Sequence, residues 1–510
     1  MSSRRQFLAA AGAVVMVGRA TAVETRYPFT LGVASGSPRE SSVVLWTRLA
    51  PDPLNGGGMG QTVAEVRYRL CADQAMRKVV REGVVTTSGD KAHSVHVIAQ
   101  GLEPGREYWY DFRYGEASSP VGRTRTADRS ATRTTVALAS CNSFESGYFA
   151  AYADMARWAP DCVIHVGDYI YEGAAATLGL STRVVGGTEL SFETVRQHDG
   201  PETVTLWDYR NRYALYRSDL GLQAAHAASP WIVALDDHEI DNNWAGDAPQ
   251  DPWAQTKTEF KVRKLAALRA YYEHMPIERP PILDGLDAHL QLYDAYRLGP
   301  VQIHLLDTRQ YRSDQVCGQG FPGDESCAEL TDPRLTMLGS TQERWLTKSL
   351  RESSAVYNVL ASQTWFAPFR YNAPPAAPKV NMDQWDGYPL ERQRIIDLLA
   401  SGVRNPVVLS GDWHAAAAMR VYQDPWNIRS RRVGYNFCGT SISSHCPWAG
   451  AMRAALPDNP HVDHLNGERR GYLRCEIDSA GWRSDFMVVD NPSKADSMVR
   501  SERQLRLQDV

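Results

Sequence analysis

The sequence predicts a layered α/β core preceded by a β-sandwich. The chain has 510 residues, of which 43% are hydrophobic and 22% charged, so it holds enough apolar side chains for a large core. Residues 27–128 show short stretches that alternate between apolar and polar side chains. Residues 131–510 instead show short apolar runs separated by stretches with helical spacing. The first pattern is typical of a sandwich, and the second of sheets covered by helices.

Residues 1–22 resemble an export signal. Arg4 and Arg5 precede an apolar stretch over residues 7–17, and Ala-Thr-Ala at residues 20–22 fits a cleavage site. The arginine pair and the residues after it resemble the twin-arginine signal, while a chance arginine pair in an ordinary signal is the alternative. We therefore expect a periplasmic or secreted protein exported by the twin-arginine machinery. No later apolar run is long enough to span a bilayer, so no transmembrane anchor is expected in the mature form.

The charge balance argues against a protein that binds polyanions over a broad surface. Lys and Arg total 55 against 59 Asp and Glu, which gives a formal net charge of −4 at pH 7. Proteins that bind nucleic acid in this way are basic, so no nucleic-acid partner is expected. An anionic substrate must instead meet a local positive site.

Four strand-like segments form the predicted sandwich, at residues 42–49, 64–71, 93–102 and 106–115. A Pro-Gly turn comes before the last segment, which is rich in aromatic residues, and this combination resembles the end of a fibronectin type III module. No concentration of His, Asp or Glu suggests chemistry in this region. We expect it to have a structural or positioning role.

Six apolar runs form the predicted strands of the core, at residues 134–140, 162–166, 230–235, 301–306, 357–361 and 406–410. Helical spacing between the runs, as in residues 148–158 and 390–400, predicts helices that cover the strands. The polar residues that follow the runs are Cys141, Gly167-Asp168, Asp236-Asp237-His238, Asp307, Gln363 and Gly411-Asp412-Trp413-His414. Because ligands in α/β folds gather at the carboxyl ends of strands, we expect these residues at one edge of the sheet. No G-x-S-x-G elbow follows any run, which disfavours an α/β hydrolase.

Several of these strand-end residues have the character of metal ligands. A single Asp at such a place could be a helix cap or a turn residue, but Cys, Asp, Asp-His and Asp-x-His at four strand ends fit one shared site better. Asp168 and Tyr171 are three residues apart on a turn, close enough to bind one ion. Strand alternation lets Asp412 and His414 point the same way.

The sequence resembles the alkaline phosphatase D (PhoD-like) family of secreted metallophosphoesterases, in the calcineurin-like superfamily. The resemblance rests on GDYIYEG at 167–173, LDDHEIDNNW at 235–244 and SGDWH at 410–414, with ASC at 139–141 and LDTRQYR at 306–312. It implies a calcineurin-like metallophosphoesterase core over residues 131–510, after the sandwich. It also implies a phosphoric ester hydrolase.

The resemblance implies a first metal site that holds Fe(III). Its ligands would be Cys141, Asp168, Tyr171 and His414, and a thiolate, a phenolate, a carboxylate and an imidazole together favour a trivalent ion. Cys141 could instead be a buried thiol or a disulfide partner. Tyr171 could instead be a core aromatic residue.

The resemblance implies a second site that holds Ca²⁺. Asp168 would bridge the two ions, and Asp237 and Asp412 would complete a carboxylate shell that suits Ca²⁺ better than Zn²⁺. A further Ca²⁺ nearby is allowed by the resemblance, with Asn242 and Asn243 as weak candidates. We therefore expect Fe(III) with one or two calcium ions.

The expected reaction is hydrolysis of a phosphate ester. Two cations can polarise water to hydroxide, which would attack phosphorus in line with the leaving group. We predict that the catalytic His238, next to Asp237, stabilises the developing charge or protonates the leaving oxygen, with a structural role as the alternative. Arg309 and Arg312 could contact phosphate, and a salt bridge with Asp307 is the alternative for Arg309. Both arginines stay outside the predicted catalytic set.

The expected substrates are small phosphate esters, with cell-wall or lipid phosphodiesters as further candidates. A phospholipase D-like phosphodiesterase is the alternative within the same fold. A non-catalytic cell-surface binding protein that uses the sandwich is the alternative of a different class. Product analysis separates the two enzymes, because a monoester releases free phosphate and a phospholipid releases phosphatidic acid.

Eight cysteines in an exported chain indicate disulfides. Cys317 and Cys327 flank one short loop, and Cys438 and Cys446 flank another, so either loop could be closed by a bridge. The sequence does not fix the pairing. The charged C-terminal segment, residues 494–510, is compatible with a helix that packs over the site or is solvated.

Overall fold

A computed structural model describes residues 26–185, 188–320 and 322–507, and the predicted export signal lies outside these ranges. The described part of the chain forms 27 strands and seven α-helices. The strands are β1 Val33–Gly36, β2 Ser42–Arg48, β3 Ala64–Cys71, β4 Val79–Thr87, β5 Ser94–Gln100, β6 Glu107–Tyr114, β7 Ala117–Ser118, β8 Gly122–Arg125, β9 Arg133–Ala139, β10 Cys162–His165, β11 Gly179–Val185, β12 Thr188–Thr194, β13 Pro230–Val233, β14 Ile282–Asp284, β15 Asp287–His289, β16 Asp294–Leu298, β17 Val301–Leu305, β18 Asp324–Glu325, β19 Tyr357–Ala361, β20 Lys379–Val380, β21 Pro406–Ser410, β22 Ala416–Tyr422, β23 Arg432–Cys438, β24 Val462–Asn466, β25 Arg470–Asp478, β26 Trp482–Val489 and β27 Val499–Arg506. The α-helices are α1 Ala150–Trp158, α2 Leu206–Arg217, α3 Leu220–Ala228, α4 Lys257–His274, α5 Gly339–Glu352, α6 Pro389–Ala400 and α7 Ala449–Ala455.

Two large sheets form the centre of the molecule. One has nine strands in the order β27-β26-β25-β9-β10-β13-β1-β2-β5, and the other has seven in the order β16-β17-β19-β21-β23-β22-β24. All six predicted runs are strands, but β9, β10 and β13 belong to the first sheet and β17, β19 and β21 to the second. The expectation of a single sheet is wrong, because an apolar run predicts a buried strand without specifying the strand with which it pairs.

Apolar side chains between the two sheets form the central core. Ile164 of β10 and Val359 of β19 are both fully buried in one cluster that joins the inner faces. The neighbouring Val163 points to the opposite face of its strand, where it packs with helices α1 to α4. Helices α5 to α7 cover the outer face of the seven-stranded sheet. The order of layers is helix, sheet, sheet, helix, so the predicted layered α/β core is confirmed.

The helices begin where the sequence supplies capping residues. Thr205 and Asp208 form a capping box at the start of α2, and Thr256 and Glu259 form another at the start of α4. The helices predicted from spacing over residues 148–158 and 390–400 are α1 and α6. None of the helices among the described residues is both long and apolar enough to cross a membrane.

The N-terminal strands form a sandwich that shares a sheet with the core. Strands β3, β4, β6, β7 and β8 make a five-stranded sheet, which packs through residues such as Tyr110 on Leu45 of β2. Strands β1, β2 and β5 belong to the nine-stranded sheet, in which β1 runs parallel to β13 with Ser35 opposite Pro230. The N-terminal region is therefore rich in β-structure, as predicted, but it is continuous with the core.

The C-terminal segment is a strand where a helix was expected. β27 pairs antiparallel with β26, with Leu505 opposite Ser484, and lies at the edge of the nine-stranded sheet. Leu505 is buried against the core between the two sheets. The strand is favoured because β26 offers unpaired backbone groups that a helix could not satisfy.

One of the two candidate disulfides is present. Cys317 is bonded to Cys327, whereas Cys438 and Cys446 are free thiols. Cys438 is buried at the end of β23, where its sulfur accepts the indole N–H of Trp365 at 2.7 Å.

Candidate metal centre

The predicted metal ligands meet where strands of both sheets end. Cys141, Asp168 and Asp237 come after β9, β10 and β13 of the nine-stranded sheet. Asp412 and His414 come after β21 of the seven-stranded sheet. The two sheets pack face to face, so their strand ends bring together residues that are up to 273 positions apart in the chain, Cys141 and His414.

Two groups of ligand atoms share one carboxylate. The ligand atoms of Cys141, Asp168 and His414 lie within 4.8 Å of one another. The same holds for a second group, Asp168, Asp236, Asp237 and Asp412, and a ring nitrogen of His238 lies within the same distance of carboxylate oxygens of Asp168 and Asp237. Asp168 belongs to both groups, which is the arrangement that a bridging ligand requires.

Tyr171 joins the first group through its hydroxyl. The hydroxyl donates a hydrogen bond to Asp168 Oδ2 at 3.0 Å and lies 3.1 Å from His414 Nε2. It accepts a hydrogen bond of 2.7 Å from the buried Ser444 hydroxyl. The structure therefore places Tyr171 with the predicted ligands and not in the apolar core.

Four of the predicted ligands have left-handed backbone. The φ angles are 58° at Cys141, 56° at Asp168, 61° at Asp412 and 53° at His414. Residues other than glycine rarely adopt this region, and each such position costs about 1–3 kcal/mol. Such strain persists where the surrounding structure enforces it, and here it coincides with the clustered side chains.

Glycine precedes the aspartate in two of the motifs because the backbone there has close neighbours. A Cβ at Gly167 would lie 2.3 Å from Asp236 Cβ, and the φ angle of Gly167 is 110°. A Cβ at Gly411 would lie 2.4 Å from Ser140 Oγ. The two glycines let the strand ends approach closely enough for the carboxylates to meet.

The electrostatics of the cluster fit bound cations. Burial, together with the negative charge of Asp237, raises the pKa of Asp168 well above its usual value. Burial and neighbouring carboxylates raise the pKa of Asp412 and of the Cys141 thiol in the same way. Among the described residues, Asp168 Oδ1 and Asp237 Oδ1 are buried without a hydrogen-bond partner. Cations would give these oxygens partners and offset the repulsion between the acids.

Arg309 lies beneath the ligands and supports them. Its guanidinium donates to Asp236 and makes two hydrogen bonds of 2.8 Å to the two oxygens of Asp383. It lies 3.7 Å from Asp237 Oδ1 and is fully buried. Arg312, also buried, pairs with the same Asp383. Both arginines are committed to carboxylates, so the expectation that they could contact phosphate is wrong.

Two of the strand-end residues stabilise turns. Asp307 accepts the backbone N–H of Arg309 at 3.1 Å, while the Arg309 guanidinium pairs with other carboxylates, so the alternative salt bridge to Asp307 is also wrong. Gln363 accepts the backbone N–H and the hydroxyl of Thr308 at 3.1 and 2.8 Å. Neither residue belongs to the ligand groups.

A cavity of about 290 Å³ opens onto the second group of ligands. Its walls include Asp237, Asp412 and His414, together with His238. Asp383 also lines the cavity, and six carboxamides contribute to its walls: Asn242, Asn243, Gln250, Gln315, Gln319 and Asn381. Cys141, Asp168 and Tyr171 are not in the walls, so these three predicted ligands lie deeper than Asp237, Asp412 and His414.

His238 lies in the cavity wall and is held by a carboxylate. Its side chain is 19% exposed, its ring packs on Tyr171 with centroids 4.1 Å apart, and Nδ1 lies 2.7 Å from Glu172 Oε2. Burial alone would lower the pKa of His238, but Glu172, Asp237 and Asp168 together raise it well above its usual value. The sequence analysis missed Glu172, although it belongs to the GDYIYEG motif.

The two asparagines act through their backbone. The N–H of Asn243 donates to Asp237 Oδ2 at 2.8 Å, and the N–H of Asn242 donates to Glu172 Oε1 at 3.0 Å. These bonds fix the loop that carries Asp237 and His238. Both side chains lie in the cavity wall.

Comparisons with known proteins identify the family. The model of the PhoD-like phosphatase N-terminal domain matches residues 15–128, and the model of the PhoD-like phosphatase matches residues 136–486. Alkaline phosphatase D of Bacillus subtilis (strain 168) is 44% identical over 477 residues, which cover 91% of this chain and 78% of that protein. The chain belongs to the PhoD-like phosphatase family.

Solved structures agree with this assignment. A structure of PhoD matches with a TM-score of 0.87 and 41% identity, over 94% of this chain and 90% of that one. The chain is therefore a phosphoric ester hydrolase, as the sequence predicted. The similarities do not favour the phospholipase D-like alternative. Together with the grouped ligands, they indicate a metal-dependent enzyme.

This PhoD-like phosphatase also uses residues that sequence reasoning missed. Asp383 binds both buried arginines, and Gln384 donates to Asp412 Oδ2. Both follow the two-residue strand β20, where no apolar run marks a strand end. Ser444 lies in the loop after β23, whose sequence predicts only a candidate disulfide between Cys438 and Cys446.

Proposed function

We propose that the chain is an exported phosphatase that hydrolyses phosphate mono- and diesters at a centre of Fe(III) and Ca²⁺. The observation that carries this proposal is the position of Asp168, which belongs to two chemically different groups of ligands. Family membership accounts for the reaction class. The metals, the ligands, the export route and the range of esters are the proposal.

Fe(III) would be held by the first group. Cys141, Tyr171, Asp168 and His414 offer a thiolate, a phenolate, a carboxylate and an imidazole, and three negative donors suit a trivalent ion. Burial, with the charge of Asp168, raises the pKa of the Tyr171 phenol well above its usual value, so this phenolate needs a cation beside it. The donor set therefore fits a bound Fe(III) better than it fits a group of buried acids with no cation.

Ca²⁺ would be held by the group that faces the cavity. Asp168, Asp237 and Asp412 offer only oxygen atoms, as a hard cation requires. A second calcium ion could use the amide oxygens of Asn242 and Asn243, whose side chains lie in the same cavity wall.

The chain's own residues account for binding and proton transfer. Bound at these positions, the cations would supply Lewis acidity toward phosphate and lower the pKa of a water molecule. The cavity walls orient the ester, and Arg309 keeps Asp236 and Asp237 in place from below. His238, in the wall beside Asp237, would give a proton to the leaving oxygen as the bond to phosphorus breaks.

Replacement of Asp168 tests the shared carboxylate. We expect Asp168→Asn to lose both metals and at least 10³-fold in kcat/KM, since a neutral amide cannot bridge two cations. Asparagine tolerates left-handed backbone, so the fold should survive. His238→Ala should keep the metals and lose about 10²–10⁴-fold in rate. Elemental analysis and phosphatase assays measure both effects, and full metal content in Asp168→Asn would rule out the bridge.

Colour tests the iron site. A thiolate and a phenolate on Fe(III) should give the pure protein a visible charge-transfer band, which Tyr171→Phe should remove or shift. Tyr169→Phe is the matched control, because that hydroxyl is two residues away and lies 2.8 Å from His226. A colourless, iron-free protein with full activity would contradict the assignment.

Export can be tested at the arginine pair. The double variant Arg4→Lys, Arg5→Lys keeps the positive charge of an ordinary signal but not the twin-arginine pattern. We expect the variant to stay in the cytoplasm with its signal uncleaved, as fractionation and immunoblotting would show. Export at the level of the unmodified chain would refute the twin-arginine route.

The range of esters requires three assays side by side. An aryl monoester, a diester and a phospholipid should separate the proposed activities, with phosphate or a monoester as the product. Phosphatidic acid as the main product would favour the phospholipase D-like reading instead.

A further inference from the structure

Glu172 is a buried carboxylate beside the cavity with no role so far in the reaction. It is 7% exposed and lies between Tyr171 and Gly173, whose carbonyl oxygens both accept hydrogen bonds from Arg212. Its own carbonyl accepts the N–H of Thr203 at 2.9 Å. The backbone on both sides of Glu172 is thus fixed by neighbours, which leaves its side chain little freedom.

The carboxylate of Glu172 has two partners. Oε1 accepts the N–H of Asn242 at 3.0 Å, and Oε2 lies 2.7 Å from Nδ1 of His238. One face of the imidazole packs on the Tyr171 ring at 4.1 Å. The ring of His238 is therefore held at its edge and on one face. Nε2 is the ring nitrogen that Glu172 does not bind, in a side chain that lines the cavity beside Asp168 and Asp237.

We propose that Glu172 is a positioning residue for catalysis: it accepts the Nδ1 proton of His238 and aims the ring so that the imidazolium gives its Nε2 proton to the leaving group. The inference rests on the proposed function, in which His238 is the proton donor. It extends that function to a carboxylate outside the ligand groups. A carboxylate that orients a metal-binding histidine typically contributes about 10–100-fold, and we expect a similar effect on His238.

The proton transfer balances as follows. The oxygen of a water molecule bonds to phosphorus, and the bond from phosphorus to the leaving oxygen breaks. The proton on His238 Nε2 moves to that leaving oxygen and forms an alcohol. A proton released by the attacking water returns His238 to its starting state, so an ester and water yield an alcohol and phosphate.

Leaving groups differ in how much they need this proton. A 4-nitrophenolate is stable as an anion, whereas an alkoxide must be protonated as it departs. Loss of a proton donor should therefore slow an alkyl phosphate more than 4-nitrophenyl phosphate. Loss of a merely structural contact should slow both esters equally, which makes the ratio of the two rates diagnostic.

The decisive variants are Glu172→Gln, His238→Ala and the double variant. We expect Glu172→Gln to lower kcat/KM for an alkyl phosphate by about 10–100-fold. The loss with 4-nitrophenyl phosphate should be much smaller, and metal content should not change. The double variant should be no slower than His238→Ala alone, because the new amide keeps an oxygen for the Asn242 N–H and the other contact of Glu172 is with the His238 ring.

Glu145→Gln is the matched control. Its carboxylate also lies near a histidine, 3.7 Å from Nδ1 of His198, but that nitrogen is 3.0 Å from the Gly173 carbonyl and neither residue lines the cavity. We expect Glu145→Gln to keep both rates. If Glu172→Gln does not fold, Glu172→Asp keeps the charge but shortens the reach, and the same comparison of esters applies.

The outcomes separate the two claims. Equal losses on both esters for Glu172→Gln, or additive losses in the double variant, would overturn the role of Glu172 and leave His238 as the donor. If His238→Ala itself slows both esters equally, the proposed function of His238 fails, and the inference fails with it.

Discussion

Single residues determine whether the two sheets can bring their strand ends together. Gly167 illustrates this, since its φ angle is 110° and an added Cβ would lie only 2.3 Å from Asp236 Cβ, which leaves no room for a side chain. The adjacent Asp168 has left-handed backbone as well. The geometry of the shared carboxylate thus depends on a residue with no functional group.

Replacement of this glycine should damage the site from a distance. We expect Gly167→Ala to reduce the free energy of unfolding by about 1–3 kcal/mol and to weaken metal binding, because Asp168 must shift to relieve the contact. Gly173→Ala is the matched control in the same motif, where an added Cβ meets nothing within 4 Å. Thermal unfolding and metal titration measure the effect, and identical behaviour of the two variants would contradict it.

Buried histidines outside the site make stability depend on pH. Burial lowers the pKa of His461 to about 4, while its Nε2 lies 2.7 Å from the Pro368 carbonyl. The unfolded chain has a histidine pKa near 6.5, so between about pH 6.5 and 4 it binds one more proton here than the folded chain. This histidine therefore stabilises the fold above pH 6.5 and loses that contribution as the pH falls.

The histidine variant should show this difference directly. His461→Gln keeps a donor for Pro368 but has no ionisable group. Below pH 6.5, the wild type should lose stability faster than the variant, by about 1.4 kcal/mol per pH unit. Denaturant unfolding at a series of pH values measures the slopes. Parallel curves would show that His461 does not titrate in this way.

At the residue scale, the sequence predicts the metal ligands, which follow recognisable strands, and misses the residues that support those ligands. The six predicted ligands follow recognisable strands, and the structure groups them. Asp383 and Ser444 lie in loops without such a strand, and the role of Glu172 depends on its contacts with His238 and Asn242, which lie about 70 positions away in the chain. Their positions depend on tertiary packing that has no local signal.

At the scale of elements, one disulfide holds the rim of the cavity. Cys317 and Cys327 close a loop whose residues Gly318, Gln319 and Gly320 lie in the cavity wall. The same loop includes β18, which pairs with β20 just before Asn381. The Cys317–Cys327 disulfide therefore constrains a loop that lines the entrance used by the substrate.

Removal of this bond should destabilise the chain. For a loop of 10 residues, we expect the Cys317→Ser, Cys327→Ser variant to lose about 2–3 kcal/mol of unfolding free energy. Reduced wild type should behave like the variant in denaturant unfolding. KM should rise in both, because the rim is less constrained. Unchanged stability and KM in both would show that the loop is held by its other contacts alone.

Strands were easier to predict than their pairing. Alternation and apolar runs marked the strands of both halves, but they gave no information on which sheet each strand enters. The last strand, β27, differs from the helix that its sequence allows, because its charged residues are compatible both with a helix and with an exposed edge strand. Only its register along β26 selects the strand.

At the scale of the whole molecule, the N-terminal region and the core share one sheet, the nine-stranded one. The division into a sandwich at 27–128 and a catalytic domain at 131–510 stays a prediction, since β1, β2 and β5 extend the sheet that carries Cys141, Asp168 and Asp237. Two family models meet near the same place in the sequence. A boundary in sequence need not be a boundary in the fold.

Truncation tests this continuity. We expect residues 131–510 alone to be insoluble or unfolded, because loss of β1 exposes the edge of β13 and its apolar faces. The intact mature chain should unfold in a single transition that includes both regions. Calorimetry of both proteins decides the matter, and a soluble, active truncated protein would establish two independent units.

The parallel pairing of β1 with β13 has a consequence during synthesis. The two strands are roughly 200 residues apart, and a ribosome adds about 5–20 residues per second, so β1 waits on the order of 10–40 s for its neighbour. Strand β9 waits longer still, until β25 has emerged near the end of translation. The unpaired edges of the nascent polypeptide must be kept from pairing with other chains during that time. We therefore expect its folding to depend on chaperones.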